Sequence, residues 1–316
     1  AVLAVPLIAF AIMGPSNFGS NLASTGVDSG TFLNPVMENG TNISAVSIIS
    51  SLAWGLGYFG MPHILVRFMA IKDKQELKKS KSIAIIWVIL GLGFACFIGV
   101  LGRAYLAASE GVLEDSEKVF IEMIKKVFTQ DMNAALLAGL FIAAILAAIM
   151  STADSQLLAS SSAFASDVYK PVLRKDASDK EMLMAGRIVV FAISVVAFII
   201  AVNPNSGGIM SLVSNAWGFF GAAFGPSIIL SLYWKRFNYT GAISGIAAGF
   251  IVDALWLYAV PQEAFGGWGA LYEIFPGFIC GFIVCVLVTL LTKAPSKEVE
   301  DLFDESVRFT KEEPLE

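Results

Sequence analysis

Residues 135–169 read ALLAGLFIAAILAAIMSTADSQLLASSSAFASDVY, an apolar run that turns polar halfway along. A helix that crosses a membrane needs about 20 mostly apolar residues, so this run is long enough to span a bilayer. Its second half nonetheless carries many small hydroxyl side chains and, among them, the acid Asp154. Because lipid tolerates polar atoms only where they have a role, the run predicts a transmembrane helix with a functional polar face.

Small residues of this run, most of them with hydroxyl groups, fall on one side of a helix. At about 100° per residue, six small residues lie in a single stripe. They are Ala148, Ser151, Thr152, Ser155, Ala159 and Ser162. Hydroxyl and carbonyl oxygens are ligands of hard cations such as sodium, so the stripe predicts a cation site. Asp154, beside the stripe, either joins an ion site or a proton step, or pairs with a polar group of a neighbouring helix.

The composition places the whole chain in a membrane. Of the 316 residues, 56% are hydrophobic and only 15% are charged, whereas soluble domains carry about 25% charged residues. We therefore expect an all-α polytopic membrane protein with about eight membrane segments. The expected segments are 1–13, 45–70, 82–107, 135–168, 185–203, 209–233, 241–261 and 270–292.

The ends of the chain and its cations predict its placement. Residues 1–13 are too few to span a bilayer, so we expect a fragment whose upstream part is absent. Of the 21 Lys and Arg residues, 17 fall on the side of the C-terminus, and cytoplasmic loops are the ones enriched in these residues. The expectation is a transmembrane domain over 1–292 and a charged cytoplasmic tail over 293–316, at most with a short helix, in the cytoplasmic membrane.

A second run, SLAWGLGYFGMPHILVRFMA at 51–70, predicts a broken helix. Three glycines precede Pro62 within one membrane segment, and glycine and proline together weaken the helical hydrogen bonds. A helix broken at membrane depth is tolerated where it faces protein or a watery cavity. Transporters use such breaks to hold substrates and ions.

Two aromatic residues of this run share a helix face. Trp54 and Tyr58 are four residues apart, so together they offer an aromatic wall with one hydroxyl to a small solute. The alternative is an ordinary kinked helix with aromatic residues at the membrane interface.

Three further features suggest roles outside these two runs. Residues 217–226, WGFFGAAFGP, form a glycine-loosened helix in which Trp217 is a gate candidate. Residues 116–128 have apolar side chains at helical spacing, so they either lie over a vestibule or pack on neighbouring helices. Asp253 has no polar company on its own helix, and we interpret it as structural or near the outer mouth.

Enzyme chemistry is disfavoured. The three cysteines all lie in apolar runs and predict neither a disulfide nor a metal site. No nucleotide loop, zinc spacing, catalytic triad or haem motif is present, and the hydroxyl stripe has no histidine or lysine to activate a nucleophile. His63, the only histidine, follows a proline and either takes part in a proton relay or is a packed or interfacial group, and we favour the second interpretation. We expect no nucleic-acid partner and infer no obligate protein partner; membrane lipid surrounds the chain.

Five stretches resemble the sodium/solute symporter family, in its proline-transporting branch. AILAAIMSTADSQLL is similar to the sodium-binding helix of that family, and WGLGYFGMPHILVRFMA to its substrate helix. AWGFFGAAFGP, LYEIFPGFICG and the KAPS after the last apolar segment also resemble the proline branch. The resemblance covers essentially the whole chain.

The resemblance implies a LeuT-type fold, a five-plus-five inverted repeat with extra helices at the ends. This chain would hold the second half-repeat and the trailing helices, without the first half-repeat, and we expect such a fragment alone not to transport. The implied sodium ligands are the carbonyl of Ala148 and the hydroxyls of Ser151 and Thr152. Asp154 and Ser155 match a second sodium site of some relatives.

The resemblance also implies a substrate and a mechanism. Trp54, Tyr58 and Pro62 would line a proline site, with Tyr58 also near the inner gate. The implied function is sodium-coupled symport of L-proline by alternating access. The alternatives are symport of another small solute, such as a different amino acid or pantothenate, and a transporter-like sensor that does not transport.

Overall fold

The computed structural model describes residues 1–38, 40–71, 74–110, 113–203 and 205–311. The chain divides into two compact units. The first unit comprises Ala1–Asn42 and Lys78–Ser194, and the second comprises Ile43–Leu77 and Val195–Glu316.

Helices make up nearly all of the regular structure in the described residues, with one small hairpin. The helices are α1 Ala4–Met13, α2 Phe18–Ser24, α3 Ser29–Phe32, α4 Ala45–Gly57, α5 Pro62–Met69, α6 Lys74–Glu110, α7 Val119–Lys125, α8 Ala135–Ala163, α9 Asp179–Val202, α10 Ile209–Tyr233, α11 Tyr239–Ala259, α12 Ala264–Gly267, α13 Ile274–Leu291 and α14 Lys297–Lys311. The hairpin pairs β1 Met37–Glu38 with β2 Thr41–Asn42, antiparallel. Short 3-10 turns occupy Pro15–Asn17, Ser116–Lys118 and Trp268–Ala270, and π-helical turns follow α7 (Lys126–Asp131) and α8 (Phe164–Leu173).

Six helices within the described ranges are long and apolar enough to cross a membrane. They are α6, α8 with its π-helical extension, α9, α10, α11 and α13. The pair α4 and α5 adds a seventh span if the two helices are counted as one. The remaining expected segment, at 1–13, contains the ten-residue α1, which is too short to span. The expectation of an all-α polytopic membrane protein is confirmed.

In the first unit, α7 packs into an apolar core. Met123, Ile124 and Val127 are fully buried, and the core also includes Leu101 of α6 and Ala138 of α8. The apolar face of 116–128 is therefore covered by neighbouring helices. Of the two interpretations of this segment, the structure favours packing.

In the second unit, α10, α11 and α13 pack closely because α11 presents glycines. A methyl group at Gly245 would overlap Sγ of Cys285, and a methyl group at Gly249 would overlap the backbone carbonyl of Ala222. Small residues allow helix backbones to approach each other in lipid, where dispersion contacts drive association. The glycine spacing of this segment thus serves helix packing.

The C-terminal segment is anchored to the start of α11. The side-chain amide of Asn238 donates hydrogen bonds of 2.8 Å to Thr292 Oγ1 and to the Lys293 carbonyl. Beyond it, α14 has 15 residues where at most a short helix was expected. The last part of the expected tail, 312–316, lies outside the described residues.

Candidate functional site

The predicted break in the segment 51–70 is present. Helix α4 ends at Gly57, α5 begins at Pro62, and the two axes are bent by 45°. Proline at the first position of α5 costs little, because the N–H that it lacks would have no partner inside the helix. Between the two helices, the N–H of Gly60 donates to the Gly57 carbonyl at 3.0 Å. Glycine and proline act here as the sequence predicted.

Trp54 and Tyr58 meet a third aromatic residue, Trp217 of α10. The rings of Trp54 and Trp217 stack with centroids 5.6 Å apart, and Tyr58 meets Trp217 edge-on at 4.8 Å. The indole N–H of Trp217 donates a 2.9 Å hydrogen bond to the carbonyl of Trp54. Tyr272 also stacks on Trp54, and we call Trp54, Tyr58, Trp217 and Tyr272 the aromatic cluster. It joins Trp54 and Tyr58, two of the three predicted substrate residues, to the predicted gate residue Trp217 within the second unit.

Two glycines of the broken segment make this cluster possible. A methyl group at Gly57 would overlap the indole of Trp217, and a methyl group at Gly60 would overlap the carbonyl of Phe220. The broken segment therefore lies directly against α10. The same glycines that weaken the helix also allow the close approach.

Tyr272, which the sequence reasoning missed as a site residue, completes the cluster. Its ring stacks on Trp54 with centroids 6.0 Å apart, and its hydroxyl donates to the Ser214 carbonyl at 2.7 Å. Its backbone N–H donates to Ser50 Oγ at 3.0 Å. Burial raises the pKa of Tyr272 above its ordinary value, and the nearby acids Glu273 and Asp253 raise it further. Tyr272 is therefore a neutral hydrogen-bond donor. The only sequence signal was the aromatic residue in LYEIFPGFICG.

The cluster leaves part of its surface open. The side chain of Tyr58 is 46% exposed, Trp54 is half-buried and Pro62 is exposed. Trp217, in contrast, is buried and forms the back of the cluster. The cluster therefore presents an aromatic wall with an open edge at Tyr58.

The predicted cation stripe lies on α8, in the first unit. The hydroxyl of Thr152 donates to the carbonyl of Ala148 at 3.2 Å, and the hydroxyl of Ser155 donates to the carbonyl of Ser151 at 2.9 Å. Ala148, Ser151 and Thr152 are exposed, as is Asp154, and Ser155 is half-buried. Each of these hydrogen bonds runs back one turn of α8, so its two residues lie on the same side of the helix.

The donor set restricts the kind of cation that fits. Among the described residues, no group of three or more His, Cys, Asp or Glu side chains is placed to hold a metal ion. The stripe offers hydroxyl and carbonyl oxygens, which suit a hard cation such as sodium and not a transition metal. Asp154, two residues after Thr152, is the acid nearest to these residues in the sequence.

The fold and these features define the class: a polytopic helical membrane protein with a broken helix that carries an aromatic cluster and a separate helix that carries a stripe of hydroxyl and carbonyl oxygens. The chain matches the Sodium:solute symporter family over residues 2–249. Since this match covers well over half of the chain, the chain belongs to the sodium:solute symporter family. It is a family of transporters and not of enzymes.

Three relatives illustrate the similarity. The chain is 40% identical over 304 residues to the osmoregulated proline transporter OpuE of Bacillus subtilis, covering 96% of this chain and 58% of that protein. It is 43% identical over 262 residues to the high-affinity proline transporter PutP of the same organism, covering 83% and 53%. It is 40% identical over 310 residues to the sodium/proline symporter of Escherichia coli, covering 97% and 58%. The chain thus spans a little over half the length of these curated relatives.

Proposed function

We propose that this chain is part of a transporter that carries out sodium-coupled symport of L-proline across the cytoplasmic membrane by alternating access. The observation that carries the proposal is the identity of 40–43% to proline transporters over most of this chain. The aromatic cluster and the cation stripe supply a chemistry that suits the two transported species. The fold proposed for it is the second half-repeat of a LeuT-type five-plus-five arrangement, with trailing helices.

The proposed sodium site uses the carbonyl of Ala148 and the hydroxyls of Ser151 and Thr152. The Thr152 hydroxyl is 3.2 Å from the Ala148 carbonyl oxygen, so one bound cation can contact both. A hard cation of this size takes about six oxygen ligands, and the other ligands must come from elsewhere in the protein. Asp154 and Ser155 are proposed as part of a second sodium site.

The proposed proline site uses Trp54, Tyr58 and Pro62. The apolar pyrrolidine ring packs on the exposed part of the aromatic cluster, and the Tyr58 hydroxyl is available to a polar group of the substrate. Trp217 holds Trp54 in place from behind, which gives the predicted gate residue a positioning role. Coupling requires that sodium and proline each bind more tightly when the other is present.

The proposed orientation places the C-terminus in the cytoplasm. It rests on the excess of Lys and Arg in the loops on that side. Proline, sodium and membrane lipid are the only partners proposed.

Sodium-dependent proline uptake by the full-length protein, reconstituted in vesicles, tests the sodium site. Ser151→Ala and Thr152→Ala each remove one ligand, and a hydrogen bond or contact to a charged group contributes about 1.5–3 kcal/mol. The sodium concentration for half-maximal uptake is expected to rise by about tenfold or more. Thr152→Ser keeps the hydroxyl and is expected to retain most of the affinity.

Ser194→Ala is the matched control. Ser194 is exposed on α9, and its hydroxyl also donates to the carbonyl one turn earlier, that of Val190, at 2.8 Å. This variant therefore removes the same kind of hydrogen bond outside the proposed site. Unchanged sodium affinity in both Ser151→Ala and Thr152→Ala would refute the assignment.

Substrate choice is tested separately by competition. Unlabelled L-proline is expected to displace labelled proline at lower concentration than other amino acids or pantothenate. Ligand binding without net flux would instead indicate a sensor.

A further inference from the structure

Two acids are buried together in the second unit, outside the proposed sodium and proline sites. Asp253 lies in the middle of α11 with 0% of its surface exposed, and Glu273 immediately precedes α13 with 8% exposed. Acids are rarely buried in proteins unless they are paired or coordinate a metal. These two therefore require an explanation.

The two carboxyl groups converge on one glycine of α10. A Cβ atom at Gly218 would lie 3.2 Å from Oδ1 of Asp253 and 3.3 Å from Oε1 of Glu273. On the α13 side, a Cβ atom at Gly277 would lie 3.0 Å from Cβ of Asp253. Glycines thus form two walls of the space that holds the acids, and no side chain of α10 separates the two carboxyl groups at Gly218.

Neither carboxyl group is neutralised by the protein. Both carboxyl oxygens of Asp253 and Oε1 of Glu273 are buried without a hydrogen-bond partner among the described residues. No Lys, Arg or His of the described chain forms an ion pair with either acid. Among the described residues, the other titratable group that interacts with the pair is Tyr272, whose hydroxyl is already donated to the Ser214 carbonyl.

Two bare negative charges in such a place are strongly unfavourable. Burial removes the water that stabilises a carboxylate, and like charges that share a site cannot both ionise without cost. Burial raises the pKa of Glu273, which lies outside the membrane-spanning helices. The cost is removed if a proton or a metal ion occupies the space.

The ligand count favours a proton over a metal ion. The pair supplies three unpartnered oxygens, whereas sodium or another hard cation takes about six. The carbonyls of the surrounding helices are engaged in helical hydrogen bonds. A proton needs only one donor oxygen and one acceptor oxygen.

We propose that Asp253 and Glu273 form a proton-binding site in the seam among α10, α11 and α13, and that the pair holds at least one proton at neutral pH. The site is distinct from the hydroxyl stripe of α8. When the proton leaves, a negative charge appears next to Gly218, one residue from Trp217.

This proton site is connected to the aromatic cluster by the chain itself. Glu273 follows Tyr272, which stacks on Trp54, and Gly218 follows Trp217. A charge created at the pair therefore acts on the two residues that hold Trp54 in place. Its effect on proline affinity rests on the proposed function, but the existence of the proton site does not.

Infrared spectroscopy of the reconstituted full-length protein tests the site without any substrate. A protonated carboxylic acid has a C=O stretching band that a carboxylate lacks. We expect such a band at neutral pH, its loss as the pH is raised, and its loss in Asp253→Asn or Glu273→Gln. Glu263→Gln, at an exposed acid before α12, is the control and is expected to leave the band unchanged.

A second measurement avoids any dependence on the folding of the variants. In the unmodified protein, incorporation of aspartate or glutamate with a heavy carbon isotope in the side-chain carboxyl group is expected to shift the band. No protonated-acid band at neutral pH, or a band that neither isotope shifts, overturns the proposal. A band abolished by sodium at fixed pH would indicate a metal ion in place of the proton and would also overturn it.

Discussion

The indole N–H of Trp217 donates to the backbone carbonyl of Trp54 at 2.9 Å while the two rings stack. Trp54 lies in the last turn of α4, where helical carbonyls have no partner within the helix. The break after Gly57 creates this unpaired carbonyl, and a side chain from α10 satisfies it. A local feature of the sequence thereby determines a contact between residues 163 positions apart.

The first prediction concerns this hydrogen bond. Trp217→Phe keeps an aromatic ring but removes the N–H, leaving the Trp54 carbonyl without its donor. An unsatisfied buried acceptor costs about 1–3 kcal/mol, so Trp54 is expected to lose its fixed position. The proline concentration for half-maximal uptake should rise by about five- to a hundredfold, with a smaller change in the sodium requirement.

Trp234→Phe provides the comparison for this variant. Trp234 caps the other end of α10, is half-buried, and stacks on Phe237 with centroids 6.4 Å apart. It makes no contact with the aromatic cluster in the structure described. If Trp217→Phe and Trp234→Phe had the same small effect on proline uptake, the positioning role of Trp217 would be wrong.

The sequence predicted the broken helix but not its partner. Glycine and proline within one apolar run are local signals, and the break between Gly57 and Pro62 follows directly from them. The spacing of Trp54 and Tyr58 also predicts a shared face. The helix that covers that face is determined by long-range packing, and helical periodicity carries no information about such packing. Tyr272 was missed for this reason.

The buried acids illustrate the same limit. Asp253 has no polar neighbour along α11, and the sequence therefore suggested a structural role or a position near the outer mouth. In the structure, it is fully buried, and its polar neighbour is Glu273, which immediately precedes α13. For the segment 116–128, the sequence did not decide between two roles. An amphipathic pattern shows that one face of a helix is apolar, but it does not show what covers that face. Met123, Ile124, Val127 and Phe128 prove to be buried in the core of the first unit, and Val119 and Phe120 pack against it.

The second prediction concerns the close packing of α11. Gly249→Ala places a methyl group against the backbone carbonyl of Ala222 on α10, an atom that cannot move aside as a flexible side chain can. Overpacking of this kind costs about 1–3 kcal/mol. The variant is expected to lower the unfolding temperature in detergent, as measured by a thermal-shift assay on the purified protein.

Gly93→Ala is the control for this variant. Gly93 is an exposed position on α6 with no atom near enough to meet an added methyl group. Alanine is the better helix former by about 0.5–1 kcal/mol, so this change should leave the unfolding temperature unchanged or raise it. Equal destabilisation by both variants would contradict the packing role of Gly249.

The third prediction concerns the docking of α14 on the α10–α11 connection. Lys235 lies 2.7 Å from a carboxyl oxygen of Asp304 and 3.8 Å from one of Glu300, both on α14. The hydrogen bond to Asp304 is the main cause that raises the pKa of Lys235. The pKa of Lys235 is higher in the folded protein than in the unfolded chain. Its contribution to the docking of α14 is therefore fully present below the ordinary lysine pKa. It is lost as the pH rises through the raised value. We therefore expect α14 to stay docked at neutral pH and to separate at strongly alkaline pH.

Spin labels at Tyr239 and Leu302, both exposed, report this separation as a change in the distance between the start of α11 and α14. Lys235→Gln is expected to broaden the distance distribution already at neutral pH, and high salt should do the same because the partners are exposed and screened. Lys297→Gln, on α14 itself, removes a cation for which the described structure has no ion pair and should leave the distribution unchanged. If the distance in Lys235→Gln matched that of the unmodified protein at every pH, the apolar side chains of α14 would hold the helix in place and the ion pairs would be incidental.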